Sequence, residues 1–377
     1  MNWLNPDDVR LDDLLTVLKE QTDTADYPHA TRIEHQVPVY DAERIRSADP
    51  RVVQAEFAAA FGTGPGIVVL KGAFGNEVVD ATTAEFTKLI DEQHRSGAAG
   101  GDHFAKPGAN DRVWNALEKL AVGAPEVYAA YYANDLLALV ATAWLGPAYQ
   151  VTSQVNVVNP GGEGQTVHRD YHLGFQSDEV AAQYPAHVHR LSSVLTLQGA
   201  VAHCDMPVES GPTLYLPHSQ KYELGYLAYR RPEFSDYFVA NHVQLPLEKG
   251  DAVFFNPALF HAAGSNHSTD IKRMANLLQV SSAFGRAMES IDRARMVSAV
   301  YPALLRMAKQ DPEGAGNVIA ATAEGYAFPT NLDRDQPIGG LAPLSQADVL
   351  RQAVTEAWTP ERLDQALAEH HTRRLTN

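Results

Sequence analysis

Cysteine is almost absent from this chain of 377 residues, and other absences narrow its function further. The single cysteine, Cys204, excludes an intramolecular disulfide and favours a reducing compartment, so we expect a cytoplasmic protein. No apolar run approaches the roughly 20 residues that a membrane helix needs. The first residues lack the basic and apolar regions of a signal peptide. We therefore expect neither a membrane partner nor secretion.

Positive charge is also scarce. The chain has 46 Asp and Glu against 30 Lys and Arg, which gives a formal net charge of −16. Because phosphate backbones bind basic surfaces, we do not expect a nucleic-acid partner. A Walker A motif, a GxGxxG turn after a strand and a CxxC pair are all missing, so phosphate-cradling and zinc-finger sites have no support. The expected partner is a small molecule, and the sequence leaves the oligomeric state open.

Apolar spacing predicts helices near the N-terminus. The pattern is helical over four segments and typical of a buried strand over one, 66–74. The helical segments are 7–21, 51–61, 77–95 and 125–145. We therefore expect the N-terminal part, 1–148, to consist of helices with one strand.

The pattern changes at Tyr149, where short segments rich in Val, Leu and Phe begin to alternate with Gly, Pro and Asn. Such spacing is typical of an antiparallel barrel or double sheet, here over about 149–285. Helical spacing returns over the C-terminal extension, 286–377. The simplest interpretation is a single domain over 1–377, with a β core wrapped by helices from both ends.

The segment GGEGQTVHRDYH carries the most informative chemistry. One residue separates His168 from Asp170, so in an extended chain both side chains leave the same face. A third metal ligand must come from a distant strand, and His261, at the end of the apolar segment FFNPALF, is the candidate. Two histidines and one carboxylate on one face of an iron leave positions open for a cosubstrate and dioxygen. An H-x-D motif alone is weak evidence in a chain with 15 His and 46 acidic residues.

Further motifs surround this pair in a fixed order. They are HRD (168–170), ESGPT (209–213), PHS (217–219), GDAVFF (250–255) and an H-x-x-G-x-N with a later arginine (His261, Gly264, Asn266, Arg273). Together they resemble the phytanoyl-CoA dioxygenase family of iron- and 2-oxoglutarate-dependent oxygenases. The segment GIVVLKGAF at 66–74 is similar to the opening strand of that family. The resemblance covers the β core and hardly reaches the C-terminal helices.

The resemblance implies a mainly β core with flanking helices, folded as a double-stranded β-helix of the jelly-roll, cupin-like type. It also implies Fe(II), 2-oxoglutarate and O2 as cofactor and cosubstrates. The expected reaction hydroxylates or desaturates a small molecule with release of succinate and CO2. Related halogenases lack the carboxylate ligand, so Asp170 favours hydroxylation or desaturation.

The same resemblance implies roles for individual residues. His168, Asp170 and His261 would be the catalytic metal ligands. Arg273 would pair with the distal carboxylate of 2-oxoglutarate, because a planar guanidinium can donate two charge-assisted hydrogen bonds to it. The residues expected to add cosubstrate contacts are Gln165, Thr213 and Lys106.

Several alternatives remain open. The family arginine commonly falls where Lys272 stands, so Lys272 is the alternative carboxylate partner to Arg273. Asn156 is expected to point inward and His172 to support a ligand, and both are candidates for substrate binding. The competing functions are a cupin-like isomerase or cosubstrate-free dioxygenase, and a non-catalytic small-molecule-binding relative. Arg273 and Thr213 favour the 2-oxoglutarate enzyme, because only a dicarboxylate cosubstrate needs a partner at the far side of the barrel.

Overall fold

Two β-sheets form the centre of the protein in the computed structural model, which describes residues 3–97 and 108–376. In this part of the chain the strands are β1 Arg32–Glu34, β2 Val37–Asp41, β3 Ile67–Lys71, β4 Asn110–Val113, β5 Gln150–Val158, β6 Thr196–Ala202, β7 Leu214–Leu216, β8 Val243–Gln244, β9 Ala252–Phe255, β10 Phe260–Ala262 and β11 Arg273–Ser281. The larger sheet has eight strands in the order β1-β2-β3-β9-β6-β11-β5-β4, and the smaller has three in the order β10-β7-β8. Neighbouring strands are antiparallel except β2 and β3.

The helices come from both ends of the chain and from the connections between strands. They are α1 Leu11–Val17, α2 Ala42–Arg46, α3 Pro50–Gly62, α4 Asn76–Ser96, α5 Ala116–Gly123, α6 Pro125–Tyr132, α7 Asp135–Leu145, α8 Asp178–Ala181, α9 Ala186–Val194, α10 Pro232–Asn241, α11 Arg293–Met307, α12 Pro312–Thr322, α13 Gln346–Thr355 and α14 Pro360–Arg374. Over the described ranges, none of these helices is both long enough and apolar enough to cross a bilayer.

Capping residues explain where several helices begin and end. Asp49 accepts hydrogen bonds from the first free N–H groups of α3, and Pro50 occupies its first position. A reciprocal pair of bonds between Ser345 and Asp348 starts α13. Gly97 ends α4 in the left-handed conformation that glycine adopts without steric cost. These local signals account for the agreement between the helical spacing in the sequence and the observed helices.

Three segments differ from their sequence-based expectation. The helix expected over 125–145 is two helices, because Asn134 interrupts it and caps α7 by accepting from the N–H of Leu137. Residues 190–194 lie within the region 149–285 that was predicted as β core, but they belong to α9, and the strand starts only at Thr196. The helix expected over 7–21 is shorter, as α1 ends at Val17.

Each face of the larger sheet is buried against a different layer. On β9, Ala252 and Phe254 pack against the helices, whereas Val253 and Phe255 face the smaller sheet. The ring of Phe255 meets Tyr215 of β7 edge to face, with centroids 5.1 Å apart. The two sheets therefore face each other as in a jelly roll, with a cavity between them, and the sheet is not closed into a complete barrel.

Candidate metal centre and active-site cavity

The cavity between the two sheets has a volume of about 900 Å³, which is in the range of small-molecule sites. Its wall contains all three residues of the H-x-D…H set, His168, Asp170 and His261. Cavity-facing side chains of β5, β6 and β11 form the large-sheet wall, and Tyr215 and Thr213 belong to the opposite wall. A molecule bound here is surrounded by both sheets.

His168 and His261 lie directly opposite each other because their main chains are hydrogen-bonded. The N–H of His168 donates to the carbonyl of His261 at 2.9 Å, and the N–H of His261 donates back at 3.1 Å. Asp170 follows on the same face, with its carboxylate oxygens 3.8 Å from Nε2 of His168 and 3.4 Å from Nε2 of His261. One potential ligand atom from each residue lies within 4.8 Å of the other two. The backbone therefore brings together three donors from distant parts of the sequence.

Both imidazole rings are oriented by their own backbone. Nδ1 of His168 is 2.9 Å from the carbonyl of Thr166, and Nδ1 of His261 is 2.8 Å from the carbonyl of Leu259. Because a carbonyl oxygen can only accept, each Nδ1 carries the proton and each Nε2 keeps a free lone pair. The two lone pairs are directed to the same place as the Asp170 carboxylate. This is how histidine ligands are held in metalloproteins.

Electrostatics favour the ligand-competent protonation states. Burial, together with the charge of His261, lowers the pKa of His168, so its ring is neutral at pH 7. Burial alone would raise the pKa of Asp170, but the neighbouring histidines and a hydrogen bond from Gln198 outweigh it and hold that pKa well below its usual range. Two imidazole nitrogens and one carboxylate form the donor set that suits non-haem Fe(II), so the residues present fit this ion.

Arg273, the first residue of β11, and Lys272, the residue before it, point to opposite sides because side chains alternate along an extended chain. Arg273 is buried and lines the cavity, whereas Lys272 is exposed and is not part of the cavity wall. A shift of one residue along a strand reverses the face on which a side chain lies. Nη1 of Arg273 donates to the carbonyl of Gly264 at 3.2 Å, and burial lowers the pKa of its guanidinium to about 10. Of the two candidates, only Arg273 is placed to meet a carboxylate in the cavity.

The other residues that were predicted from the sequence do not all line the cavity. Gln165, Thr213 and Asn156 all line the cavity. His172 does not, and its Nδ1 lies 3.5 Å from the hydroxyl of Ser192 at the margin of hydrogen bonding. Lys106 lies outside the described residues. The structure thus brings all of the described candidates except His172 to the cavity.

The cavity wall also contains residues that were not among the sequence candidates. Tyr215 follows Thr213 at the strand spacing of two and could have been found by that alternation. Arg112 and Trp114 line the cavity from β4 and its end. Gln198, which donates from Nε2 to Oδ2 of Asp170 at 2.5 Å, had no signal in the sequence, because the contact joins β6 to a residue that lies 28 positions earlier and outside the strands.

Arg169, the middle residue of the H-x-D motif, holds this segment against the loop that contains Ser219 and Tyr222. Its guanidinium is buried and Nη2 donates to the carbonyls of Ser219 at 2.6 Å and Tyr222 at 3.0 Å. The same group lies over the rings of Tyr226 and Phe260, 5.1 Å from each centroid. Arg169 therefore joins the segment that carries His168 and Asp170 to the loop that contains Ser219 and Tyr222.

We expect Arg169→Met to destabilise the protein by about 3 kcal/mol, because it removes two buried charge-assisted hydrogen bonds and the contacts of the guanidinium with two aromatic rings. Urea unfolding measures the change. The matched control is Arg190→Met, which removes an exposed ion pair with Glu223 and should cost less than about 0.5 kcal/mol. Equal midpoints for Arg169→Met and wild type would show that the guanidinium does not hold this loop.

A jelly-roll cavity with a two-histidine, one-carboxylate donor set and a buried arginine defines the class of the protein, a non-haem iron oxygenase fold. The model of the phytanoyl-CoA dioxygenase family matches residues 64–274, which is more than half of the chain. The chain belongs to this family of Fe(II)- and 2-oxoglutarate-dependent enzymes, which use O2 as the second cosubstrate. Both the resemblance noted in the sequence and the expected fold class are confirmed. No curated protein matches the chain.

Three solved structures are similar to this chain at low sequence identity. The non-haem α-ketoglutarate-dependent epimerase SnoN from nogalamycin biosynthesis is 21% identical, with 62% of this chain and 82% of SnoN covered at a TM-score of 0.42. AviO1 from Streptomyces viridochromogenes Tue57 is 17% identical, with 63% and 98% covered at 0.46. HygX from Streptomyces hygroscopicus, solved with nickel, 2-oxoglutarate and hygromycin B, is 16% identical, with 63% and 90% covered at 0.44. These distant likenesses carry no conclusion about the substrate of this chain.

Proposed function

We propose that this protein oxidises a small molecule by Fe(II)- and 2-oxoglutarate-dependent hydroxylation or desaturation, with release of succinate and CO2. His168, Asp170 and His261 are the proposed iron ligands, and the whole chain, 1–377, is proposed to act as one oxygenase domain. The observation that carries the proposal is the convergence of two imidazole Nε2 atoms and one carboxylate, with both rings held by their Nδ1–H groups.

Iron with bound 2-oxoglutarate supplies the oxidising power for attack on an unactivated C–H bond. The chain contributes orientation: His168 and His261 present fixed lone pairs, and Asp170 completes one face of the site. Arg273 binds the distal carboxylate of the cosubstrate, with Thr213 and Gln165 beside it on the cavity wall. The two sheets exclude bulk water from the space between them.

The surroundings of Arg273 favour this function over a cosubstrate-free dioxygenase or isomerase. The guanidinium is only 6% exposed, and its side-chain hydrogen bond goes to a carbonyl rather than to a carboxylate. The titratable groups that interact with it, Cys204 and Tyr215, are neutral at pH 7, because burial raises the pKa of both. A buried cation without an anionic partner is costly, and a dicarboxylate cosubstrate supplies that partner. The presence of Asp170 favours hydroxylation or desaturation over halogenation.

The test is anaerobic addition of Fe(II) and 2-oxoglutarate. We expect a weak visible charge-transfer band, followed on admission of air by slow succinate formation even without a substrate. Succinate in place of 2-oxoglutarate is the control and should give no band. A protein that binds Fe(II) but shows neither the band nor succinate is not a 2-oxoglutarate oxygenase.

A further inference from the structure

Aromatic and sulfur-containing side chains form the part of the cavity wall that follows Asp170. This part contains Phe175, Met288 and Trp114, and we call these three residues the aromatic wall. Phe175 comes shortly after Asp170 in the chain, whereas Met288 follows β11 and Trp114 follows β4. The fold brings the three together from distant parts of the sequence.

Phe175 and Met288 are joined through the buried ring of Tyr171. The rings of Phe175 and Tyr171 have centroids 5.7 Å apart. The hydroxyl of Tyr171 donates to Sδ of Met288 at 3.4 Å. Because Tyr171 directly follows Asp170, this half of the aromatic wall adjoins the proposed metal site.

Met288 and Trp114 are joined through two polar side chains. Nε2 of Gln154 lies 3.8 Å from Sδ of Met288, and Oε1 of Gln154 accepts from Nη1 of Arg112 at 3.2 Å. The guanidinium of Arg112 lies over the indole of Trp114, 5.3 Å from the ring centroid. The aromatic wall is therefore one continuous side of the cavity.

Phe175 is 54% exposed, although the chain on both sides of it is held in place. The carbonyl of Gly174 accepts from the hydroxyl of Tyr229 at 2.9 Å. The carbonyl of Gln176 accepts from Nη2 of Arg230 at 2.7 Å. A ligand that covers Phe175 therefore buries apolar surface without the entropic cost of ordering this loop.

The aromatic wall lies away from the proposed cosubstrate subsite. Trp114 is level with Gln154 on β5, and Gln154 pairs with Leu277 on β11. Leu277 is four residues after Arg273, which corresponds to roughly 13 Å along a strand. In addition, β4 lies two strands away from β11. A 2-oxoglutarate held between Arg273 and the metal ligands therefore leaves this wall to the substrate.

The charges of the cavity favour a neutral or anionic ligand. Among the described residues of the cavity wall, Asp170 is the only acidic one, and it is proposed to bind the metal. Arg112 and Arg230 also line the cavity, and they contact the two ends of the aromatic wall or the chain beside them. A cationic ligand would lie near two guanidinium groups here, so it is disfavoured.

We propose that the aromatic wall is the substrate subsite and that it takes a flat ring system without positive charge. Aromatic pairs are stabilised beyond the burial of their area, and a thioether sulfur makes favourable contacts with ring edges. A flat ring system therefore gains more from this wall than a saturated molecule of the same size. The inference rests on the proposed oxygenase function and names the substrate class of that site.

The test measures probe binding by anaerobic calorimetry to protein loaded with Fe(II) and 2-oxoglutarate. The main pair is 2-naphthoate and decahydro-2-naphthoate, which share a carbon skeleton and a charge and differ in flatness. The other probes are 2-naphthylmethylamine, a medium-chain acyl-CoA ester and a methyl hexopyranoside. We expect 2-naphthoate to bind about tenfold more tightly than its saturated counterpart and more tightly than the other three. Succinate formation in air should follow the same order.

Variants link this preference to the aromatic wall. Phe175→Leu should lower the preference for 2-naphthoate over decahydro-2-naphthoate by about threefold, because leucine keeps apolar surface but not the flat ring. The matched control is Phe284→Leu, which removes a ring that is 76% exposed and does not line the cavity. It should leave the preference unchanged. If Phe175→Leu does not fold, Trp114→Leu replaces it, and the comparison of probes in wild type stands regardless.

The outcomes separate this inference from the proposed function. Equal or weaker binding of 2-naphthoate than of its saturated counterpart overturns the subsite, as does no binding of 2-naphthoate at all. Tighter binding of the amine, the acyl-CoA ester or the hexopyranoside overturns it too, and so does an unchanged preference in Phe175→Leu. Absence of the Fe(II)–2-oxoglutarate band and of succinate formation in wild type is the different result that overturns the oxygenase function itself.

Discussion

Replacement of His261 by alanine is expected to abolish the Fe(II)–2-oxoglutarate band and to reduce succinate formation by more than ~100-fold. Loss of a residue that merely orients a metal ligand already costs about 10–100-fold in metal affinity, and His261 is proposed to bind the metal directly. Among the residues that the structure describes, its Nε2 is one of two imidazole donors at the site, so the variant leaves one nitrogen and one carboxylate of this set. The band is measured anaerobically and succinate by chromatography.

The control for this substitution is His267→Ala. His267 is exposed and lies six residues later in the same connection, so its loss should leave the band and turnover unchanged. Thermal unfolding of both variants without metal tests whether they fold. A folded His261→Ala protein that keeps wild-type turnover would remove this residue from the ligand set.

Arg273→Met is expected to raise the Kd for 2-oxoglutarate by about 30- to 150-fold, since charge-assisted hydrogen bonds contribute about 2–3 kcal/mol. The same substitution removes a buried, unpaired cation, so the cosubstrate-free protein should unfold at a temperature equal to or higher than that of wild type. Wild type should gain stability when 2-oxoglutarate binds, and the variant should lose that gain. Calorimetry and thermal unfolding with and without 2-oxoglutarate measure these effects.

Lys272→Met is the matched control, because it removes the neighbouring cation from the exposed face of the same strand. It should leave the Kd for 2-oxoglutarate within about twofold of wild type, as expected for a surface substitution. Monocarboxylic 2-oxo acids provide a further comparison: Arg273→Met should bind 2-oxobutyrate about as well as 2-oxoglutarate. The opposite pattern, with Lys272→Met impaired and Arg273→Met normal, would transfer the carboxylate contact to Lys272.

The metal site could be predicted from sequence because most of its information is local. His168 and Asp170 share a face by strand periodicity, and ordered motifs identified the distant partner His261. The β core and its flanking helices were predictable for a similar reason, since turn residues and caps mark their ends. The family was recognised from the same ordered motifs.

The proximity of Gln198 on β6, Gln279 on β11 and Gln154 on β5 could not be predicted, because these strands are separated by about 40 or more positions along the chain. Their proximity depends on which strands are neighbours and in what register, and neither property is encoded near any one glutamine. The position of Arg112 in the cavity wall has no clear sequence signal either, because its strand, β4, is only four residues long and pairs at the edge of the sheet.

The choice between Arg273 and Lys272 could be predicted only in part. The motif spacing favoured the lysine position, and chemistry favoured the arginine. Strand alternation decides which side chain faces the cavity, but only once the start of β11 is known. In the structure β11 starts at Arg273, and this start determines the face of the sheet on which each later residue of the strand lies.

The paired main-chain bonds between His168 and His261 have a consequence for metal choice. These two main-chain hydrogen bonds set the spacing of the histidines without help from an ion. The same three donor groups are therefore available to every first-row divalent cation that enters the site. Intrinsic affinity at such nitrogen and oxygen sites rises from manganese and iron towards copper and remains high for zinc. A rigid frame of this kind does not discriminate among them, so its occupancy follows the supply of free metal in its surroundings. We therefore expect the ion that occupies the proposed site to depend on which metals the cell supplies, whereas the proposed reaction requires Fe(II).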